Sequence, residues 1–339
     1  MIYITGANGW LGLNLINNIV NGNCLRWGMN KEKIHALIQE GSDETMLRNI
    51  SYDIEIHYGD IRNLDKLNKF LSSSKNSFLF HTAGVIHPNK IADFFSINTI
   101  GTENLINSAI RHSIKRMVIV SSNSPCGCNS TNKDLFNEQS NYNPYMNYGK
   151  SKMEMEIIAN EKYKKGYIDL TIIRAPWFYG PFQPARQKLF FEMIKNGKVP
   201  LIGSGNNIRS MAYTNNLVQG LILAATKPNA SGNTYWIADE KPYTMNNIID
   251  TIEKLLAEEF NQNCNFGRIK LPNIISSLAE HADRLIQSLG FYNQKIHVLS
   301  EMNKNIACSV RKAQSELDYK PEFSLITGMH NSLKEIYGK

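Results

Sequence analysis

Short apolar runs alternate along the first half of the chain with longer stretches in which apolar residues recur every third or fourth position. The runs "IYIT", "KIHALIQ", "DIEIHYGD", "SFLFHTAG", "RMVIVSS" and "IDLTIIRAP" each have the length and composition of a buried strand. Between them, "WLGLNLINNIV" and "NTIGTENLINSAIRHS" carry the spacing of an amphipathic helix. Strands separated by helices of that length can only pair in parallel, and parallel strands need helices on both sheet faces. The pattern therefore predicts an α/β chain with a doubly wound parallel sheet, the Rossmann arrangement, over residues 1–180. Beyond Pro181 the grammar changes to a loop-rich stretch, "FQPARQKLFFEMIKNGKVPLIGSGNNIRS", followed by mostly helical patterns. Residues 181–339 are expected to form a smaller, mostly helical substrate region. Part of it, about 214–260, returns to the sheet: "TNNLVQGLILAAT" reads as a helix, "TYWIA" as a strand, and a further helix opens at a Thr244 cap.

Composition narrows the class. A chain of 339 residues with 42% hydrophobic residues can bury a full core, which excludes a disordered or fibrous protein. The net charge of +7 comes from scattered Lys and Arg, so it reads as a solvated surface that attracts phosphate-bearing small molecules rather than nucleic acid. The five cysteines are an odd set, and Cys126-Gly-Cys128 has one residue between its thiols where a zinc or redox knuckle has two. Free thiols in a reducing compartment and no metal are expected. No basic and apolar leader precedes the first strand, and no apolar run approaches the ~20 residues of a membrane span. The expectation is a cytoplasmic protein without membrane attachment.

Candidate chemistry begins at residue 5. In "TGANGWLG", Gly6 permits a sharp turn, Gly9 lets backbone approach a pyrophosphate, and Gly12 lets the following helix pack on the strand. The turn leaves a strand and opens a helix, the setting in which the N–H groups and dipole of a helix N-terminus hold a phosphate. The choice between NAD and NADP rests on the end of the second strand, where Ile38, Gln39 and Glu40 select neither cleanly, with a lean to NAD. Asp60, at the end of the third strand, suits either the adenine side of a cofactor or a helix cap. Further on, Tyr148 and Lys152 stand four residues apart on one face of a helix that starts after Pro144. A lysine ammonium beside a phenol favours the phenolate and makes an acid/base of it. Ser121 and Ser122 end a parallel strand, at the edge where doubly wound folds bind ligands.

Together these motifs resemble the extended short-chain dehydrogenase/reductase superfamily, in its sugar-nucleotide epimerase and 3β-hydroxysteroid dehydrogenase branch. The resemblance extends to "HTAGV", "INTIGTENLINSA", "IIRAPWFYGP" and "SVRKAQSELDYKPEFSLITGMHNSL". It implies Tyr148 as catalytic acid/base, Lys152 as its pKa modifier and a ribose anchor, and Ser122 as hydrogen-bond partner of the reacting oxygen. Ser124 is the rival serine, or a substrate contact. It also implies cofactor contacts at Gly6, Asn8, Gly9, Trp10, Leu11, Gln39, Asp60, Ile61, Thr82, Ala83, Gly84, Asn98 and Pro176. Within that set Trp10 is most simply a packing residue.

Departures from the family pattern bear on the substrate. Sugar 4,6-dehydratases of the family carry an Asp-Glu pair where this chain has Asn123-Ser124, which leaves elimination of water without its extra acid and base. The loop Pro125-Cys126-Gly127 is also altered, and Asn215-Asn216 replaces an acidic pair after Arg209. Arg209 is the matching phosphate arginine, with Arg186 and Arg284 as further candidates, and Trp177 belongs to an aromatic group beside the cleft that suits a base or an apolar ring. The expected function is an NAD(P)-dependent epimerase of a nucleoside-diphosphate sugar, working through a transient keto sugar. The alternatives are a keto-sugar reductase, a steroid- or flavonoid-type alcohol oxidoreductase, and a dinucleotide sensor without turnover. The resemblance also implies a homodimer.

Overall fold

The computed structural model describes residues 1–338. Its centre is a seven-stranded parallel sheet built on β1 (Ile2–Thr5), β2 (Ile34–Ile38), β3 (Glu55–Tyr58), β4 (Phe78–His81), β5 (Arg116–Ser122) and β6 (Leu170–Ala175). The seventh strand, Thr234–Trp236, pairs in parallel with β6, so the order across the sheet is seventh, β6, β5, β4, β1, β2, β3. Reversal of the winding direction between β1 and β4 opens a crevice beyond their carboxyl ends, where ligands of such sheets bind.

The helices are α1 (Trp10–Val20), α2 (Thr45–Ile50), α3 (Leu64–Phe70), α4 (Ile91–Asp93), α5 (Thr102–Arg111), α6 (Met146–Lys164), α7 (Ala185–Lys195), α8 (Thr214–Thr226), α9 (Met245–Lys254), α10 (Ile274–Ser288), α11 (Gln294–Glu301), α12 (Arg311–Leu317) and α13 (Leu325–Tyr337). One sheet face is covered by α1 and α8, whose buried Leu15, Ile16, Leu221 and Ile222 join one core. The other is covered by α5 and α6, with Leu105, Ile106, Met155 and Ala159 in a second. α8 is buried along nearly its whole length, which explains the almost uninterrupted apolar run in its sequence. The substrate-side half has its own core around Phe191, Ile194, Ile248, Ile252 and Leu333, from α7, α9 and α13. Small two-stranded pairings stiffen this half: Val199–Ile202 with Arg268–Leu271, and Ile208–Arg209 with Tyr243–Thr244.

The Thr244 cap expected from sequence has its partner, since the Thr244 side chain accepts from the Asn247 amide in a reciprocal capping box that starts α9. All five cysteines are free thiols, and no helix among the described residues is long and apolar enough to cross a membrane.

Candidate active site

The glycine turn closes tightly. Gly6 has φ +67, and a Cβ there would stand 2.6 Å from the Ala83 nitrogen. A Cβ on Gly12 would stand 2.3 Å from the Gly6 carbonyl oxygen. Both positions therefore require glycine, for turn geometry at the first and backbone contact at the second. Gly9 is the N-cap of α1 and supplies no side-chain cap, and no acidic residue occupies the first turn. Donors at that helix end are left for an anion. Thr82 ties the second loop to the first: its hydroxyl donates to the Thr5 carbonyl at 2.7 Å. Asn98 lies in a π-helical run, Phe94–Gly101, and clamps the strand-end loop beyond Gly84 by accepting from the Val85 amide at 2.9 Å and donating to the Val85 carbonyl at 3.0 Å. It also donates to the Ser151 hydroxyl, which ties that loop to α6.

At the carboxyl end of β5, Ser122 is the register partner of Ala175, the residue before Pro176. Its hydroxyl lies 3.4 Å from that of Ser124, and the Ser124 amide donates to it at 3.3 Å. The 123–127 loop is a tight turn in which the Cys126 amide donates to the Asn123 carbonyl at 2.9 Å, and Gly127 takes φ +77. The Tyr145 amide donates to the Ser124 carbonyl, setting the start of α6 against this loop. A Cβ on Gly149 would press 2.5 Å from the same oxygen, so α6 can approach this closely only with glycine there.

Tyr148 and Lys152 share a face of α6 and meet different surroundings. Burial pushes the Tyr148 phenol up to about 12, while a hydrogen bond with Ser122 and the charge of Arg186 pull it down and Glu301 raises it. Lys152 is buried, donates to the Val120 carbonyl at 3.0 Å, and is pushed down to about 8 by desolvation, with Glu156 acting the other way. The groups that lower Tyr148 are thus Ser122 and Arg186, and the ammonium of Lys152 is turned to the backbone of β5 instead. Arg186 remains exposed, and the groups whose charge reaches it are the phenols of Tyr148 and Tyr292.

Lys152 gives the site a pH-dependent stability. Its folded value lies below its ordinary one, so the folded state binds fewer protons than the unfolded chain between about 8 and 10.5. Stability is therefore full above that window and is lost as pH falls through it, by on the order of 3 kcal/mol. Urea midpoints of Lys152→Met and wild type compared at pH 8 and 10 should show this gain with pH only in the wild type. Parallel curves would place the lysine outside the buried site.

Other residues singled out in the sequence fall into three groups. Gln39 is exposed, and Asp60 is held by Arg62 through contacts of 2.6–3.1 Å, which draw its carboxyl below the usual range. Ile61 is buried against Gly101, where a Cβ would meet it at 2.7 Å. Trp10 donates to the Pro181 carbonyl at 2.7 Å and packs on Phe178, so it fastens α1 to the 178–181 loop. Trp177 packs edge-on against Phe190 at the rim of the third core. Arg209 donates to the Glu301 carbonyl at 2.9 Å, and its Nε is buried without a partner, leaving a guanidinium half committed. Arg284 pairs with Glu280 on the exposed side of α10. Beside Asn215-Asn216, Asp239 accepts from Asn216 at 2.8 Å, from the Tyr179 hydroxyl at 2.7 Å and from the Tyr213 amide at 2.9 Å.

A wall of the cleft went unread in the sequence. The phenol of Tyr292 bonds His87 Nδ1 at 2.7 Å, and Phe94 lies between Tyr292 and Tyr148 with ring centroids 5.4 and 5.7 Å away. Behind Tyr292, His297 bonds the fully buried Asp283 at 2.7 Å. Burial lowers that imidazole, and Asp283 and Glu301 outweigh it to leave the net shift upward. Tyr292, His297 and Asp283 lie on the α10–α11 hairpin, more than 130 residues from Tyr148, and only tertiary packing brings them together with His87 and Phe94. Their types in isolation gave no signal, since a lone His or Tyr on a helix is ordinarily core.

Comparisons with known proteins bear on family and fold. The model of the NAD dependent epimerase/dehydratase family matches residues 2–238. The uncharacterized protein y4nL of Sinorhizobium fredii is 43% identical over 338 residues, covering 98% of this chain and 94% of its own. The N-acetyl-alpha-D-glucosaminyl-diphospho-ditrans,octacis-undecaprenol 4-epimerase of Escherichia coli O157:H7 is 24% identical over 75% of this chain and 72% of its own. Among solved structures, the dTDP-glucose 4,6-dehydratase DesIV of Streptomyces venezuelae, with NAD and TYD bound, has a TM-score of 0.76 at 20% identity, covering 98% of this chain and 95% of its own. That likeness shows the fold.

Proposed function

The chain belongs to the NAD-dependent epimerase/dehydratase family, and from that premise we propose that it epimerises a sugar carried on a nucleoside diphosphate. The reading is carried by the meeting, at the carboxyl edge of the sheet, of Ser122 at the end of β5, which lowers the Tyr148 phenol, with the buried Lys152 one helical turn along α6. The glycine turn suits a dinucleotide, because both Gly6 and Gly12 exclude a Cβ and the end of α1 carries no cap of its own. Gly6, Asn8, Gly9 and Leu11 would hold the pyrophosphate side, Gln39, Asp60 and Ile61 the adenosine side, and Thr82, Ala83, Gly84, Asn98, Lys152 and Pro176 the nicotinamide ribose and ring. When bound, the nicotinamide accepts and returns a hydride.

The side chains move and hold the proton. Tyr148 takes the hydroxyl proton of the reacting carbinol and later gives it back, while Ser122 donates to the oxygen and keeps it in line. Lys152, turned to Val120, fixes the base of the site. Arg186 offers a cation to the substrate and favours ionised Tyr148. Arg209, anchored on the Glu301 carbonyl, would be the phosphate arginine, with Ser124 and Trp177 as further substrate contacts. Asn123 and Ser124 supply neither acid nor base for eliminating water, which favours epimerisation over dehydration. Two copies would pair through α6 and the π-helical run that leads into α5, where Ile157 and Ile100 are exposed; sedimentation reads that state.

A second reading keeps the chemistry and changes the carrier. On α10 and its C-cap, Ile274, Leu278, Leu285 and the capping Leu289 point outward along one stripe, each at least 60% exposed. Apolar surface of that kind suits a lipid-borne sugar, the type of substrate named for the Escherichia coli relative.

One experiment tests both. Sugars deuterated at the candidate carbon, on uridine or thymidine diphosphate and on polyprenyl diphosphate, are incubated with the protein, and product configuration and label are read by NMR. An inverted centre that retains its deuterium, with no net change in nicotinamide absorbance, is the expected result, and the carrier that turns over decides between the readings. Net, stoichiometric reduction of NAD+ or NADP+ by the labelled sugar, with its deuterium carried to the nicotinamide, would identify a simple oxidoreductase, the reductase run in reverse, and sink the epimerase.

A further inference from the structure

At the far edge of the sheet from β6, three side chains converge that take no part in the chemistry above. His35 on β2 and Glu55 on β3 are register partners, and His57, two residues on, projects from the same sheet face. His35 Nδ1 and His57 Nε2 are 3.1 Å apart. Glu55 Oε1 lies 3.3 Å from the His57 nitrogen and 3.6 Å from the His35 nitrogen. A tetrahedral zinc ion bound by nitrogen and oxygen at about 2.0–2.2 Å spaces neighbouring ligands about 3.3–3.5 Å apart. The three donor atoms thus outline one face of such a tetrahedron.

Supporting contacts hold the donors in place. The Tyr3 ring stacks on His35 with centroids 4.4 Å apart and planes 7° from parallel, and Phe70 meets His57 edge-on at 5.2 Å. Lys33 takes the other oxygen of Glu55 at 2.6 Å, which orients the carboxylate and leaves Oε1 free to ligate. Beyond His57 a cleft of about 320 Å³, lined by Leu37, Tyr58, Lys66 and Phe70, gives access for a water as fourth ligand. His35 Nδ1, His57 Nε2 and Glu55 Oε1 can each present a lone pair to one point, the donor set that a borderline divalent ion takes.

We propose that His35, Glu55 and His57 form a Zn²⁺ site that staples β2 to β3. His35 and Glu55 lie toward the amino ends of their strands, whereas Ser122 ends β5 on the carboxyl side, so the ion acts on the stability of the sheet edge and not on turnover.

The test is zinc titration of the full, chelator-treated chain, read by equilibrium dialysis with metal analysis and by melting temperature. One tightly bound Zn²⁺ per chain and a zinc-dependent rise in melting temperature are expected. Co²⁺ in its place should give the visible absorption of a tetrahedral site. Loss of a direct ligand should weaken binding by at least the ~100-fold that loss of an outer-shell partner can cause, so His57→Gln should do so and abolish the zinc-dependent rise. Glu55→Gln, at a more exposed residue, repeats the reading should His57→Gln fail to fold. Absence of stoichiometric zinc in the wild type, or equal affinity in the variants, overturns the site.

Discussion

Tyr148→Phe lowers turnover by about two to four orders of magnitude, the range for losing a positioned acid/base, and leaves the fold intact. The substitution removes one oxygen from an aromatic ring that still packs on Phe94. The neighbouring Ser122 keeps its contacts with Ser124, so the loop has no reason to move. Because burial holds the phenol near 12, the proton-accepting form is the minority across neutral pH. The oxidative half of the reaction should therefore speed up as pH rises in the wild type, and the variant should lose that dependence. The measurement is kcat against pH with a substrate that turns over, beside a circular dichroism melt. Unchanged kcat in a folded variant would remove Tyr148 from the chemistry and revive a dinucleotide sensor.

Glu156→Ala destabilises the fold by about 3–5 kcal/mol, the cost of stranding one member of a buried charge pair. Glu156 is fully buried on α6 and accepts from Arg174 on β6, with contacts of 2.7–3.2 Å. Ser121 on β5 donates to it at 2.5 Å, and Tyr142 at 2.9 Å. Removing the carboxylate leaves the Arg174 guanidinium buried and two hydroxyls unpaired. The same carboxylate joins α6 to β5 one residue before Ser122, so the surviving folded fraction should also lose activity through displacement of Tyr148. Urea unfolding gives the stability, and activity per folded molecule gives the positioning. Replacing Glu156 and Arg174 together by Met and Leu should recover much of the stability, since a well-packed apolar pair often matches a buried ion pair. A single variant as stable as wild type would show the network to be slack.

The parts of this site that depend on local sequence were legible from it. The glycines of residues 6–12 have one turn to make, Tyr148 and Lys152 share a face by helical period alone, and Ser122 ends a strand whose apolar run announces it. Resemblance added what each would do. The role of Lys152 was only half legible: four-residue spacing places it beside Tyr148, but the direction of its ammonium depends on the Val120 carbonyl of a different element. Asp239 illustrates the same limit: it accepts from Asn216, 23 positions before it, a contact that no local pattern around Asn215-Asn216 announces.

The sequence by itself determined the order of strands and helices, the glycine turn and the register of Tyr148 with Lys152, since each follows from periods of two or 3.6 residues and from backbone sterics. Only the tertiary structure decided which charges act on the phenol, that the α10–α11 hairpin closes the cleft with Tyr292 and His297, and that His35, Glu55 and His57 meet. Those contacts join residues tens to hundreds of positions apart, and their geometry is set by how sheet and helices pack, a quantity no local pattern carries.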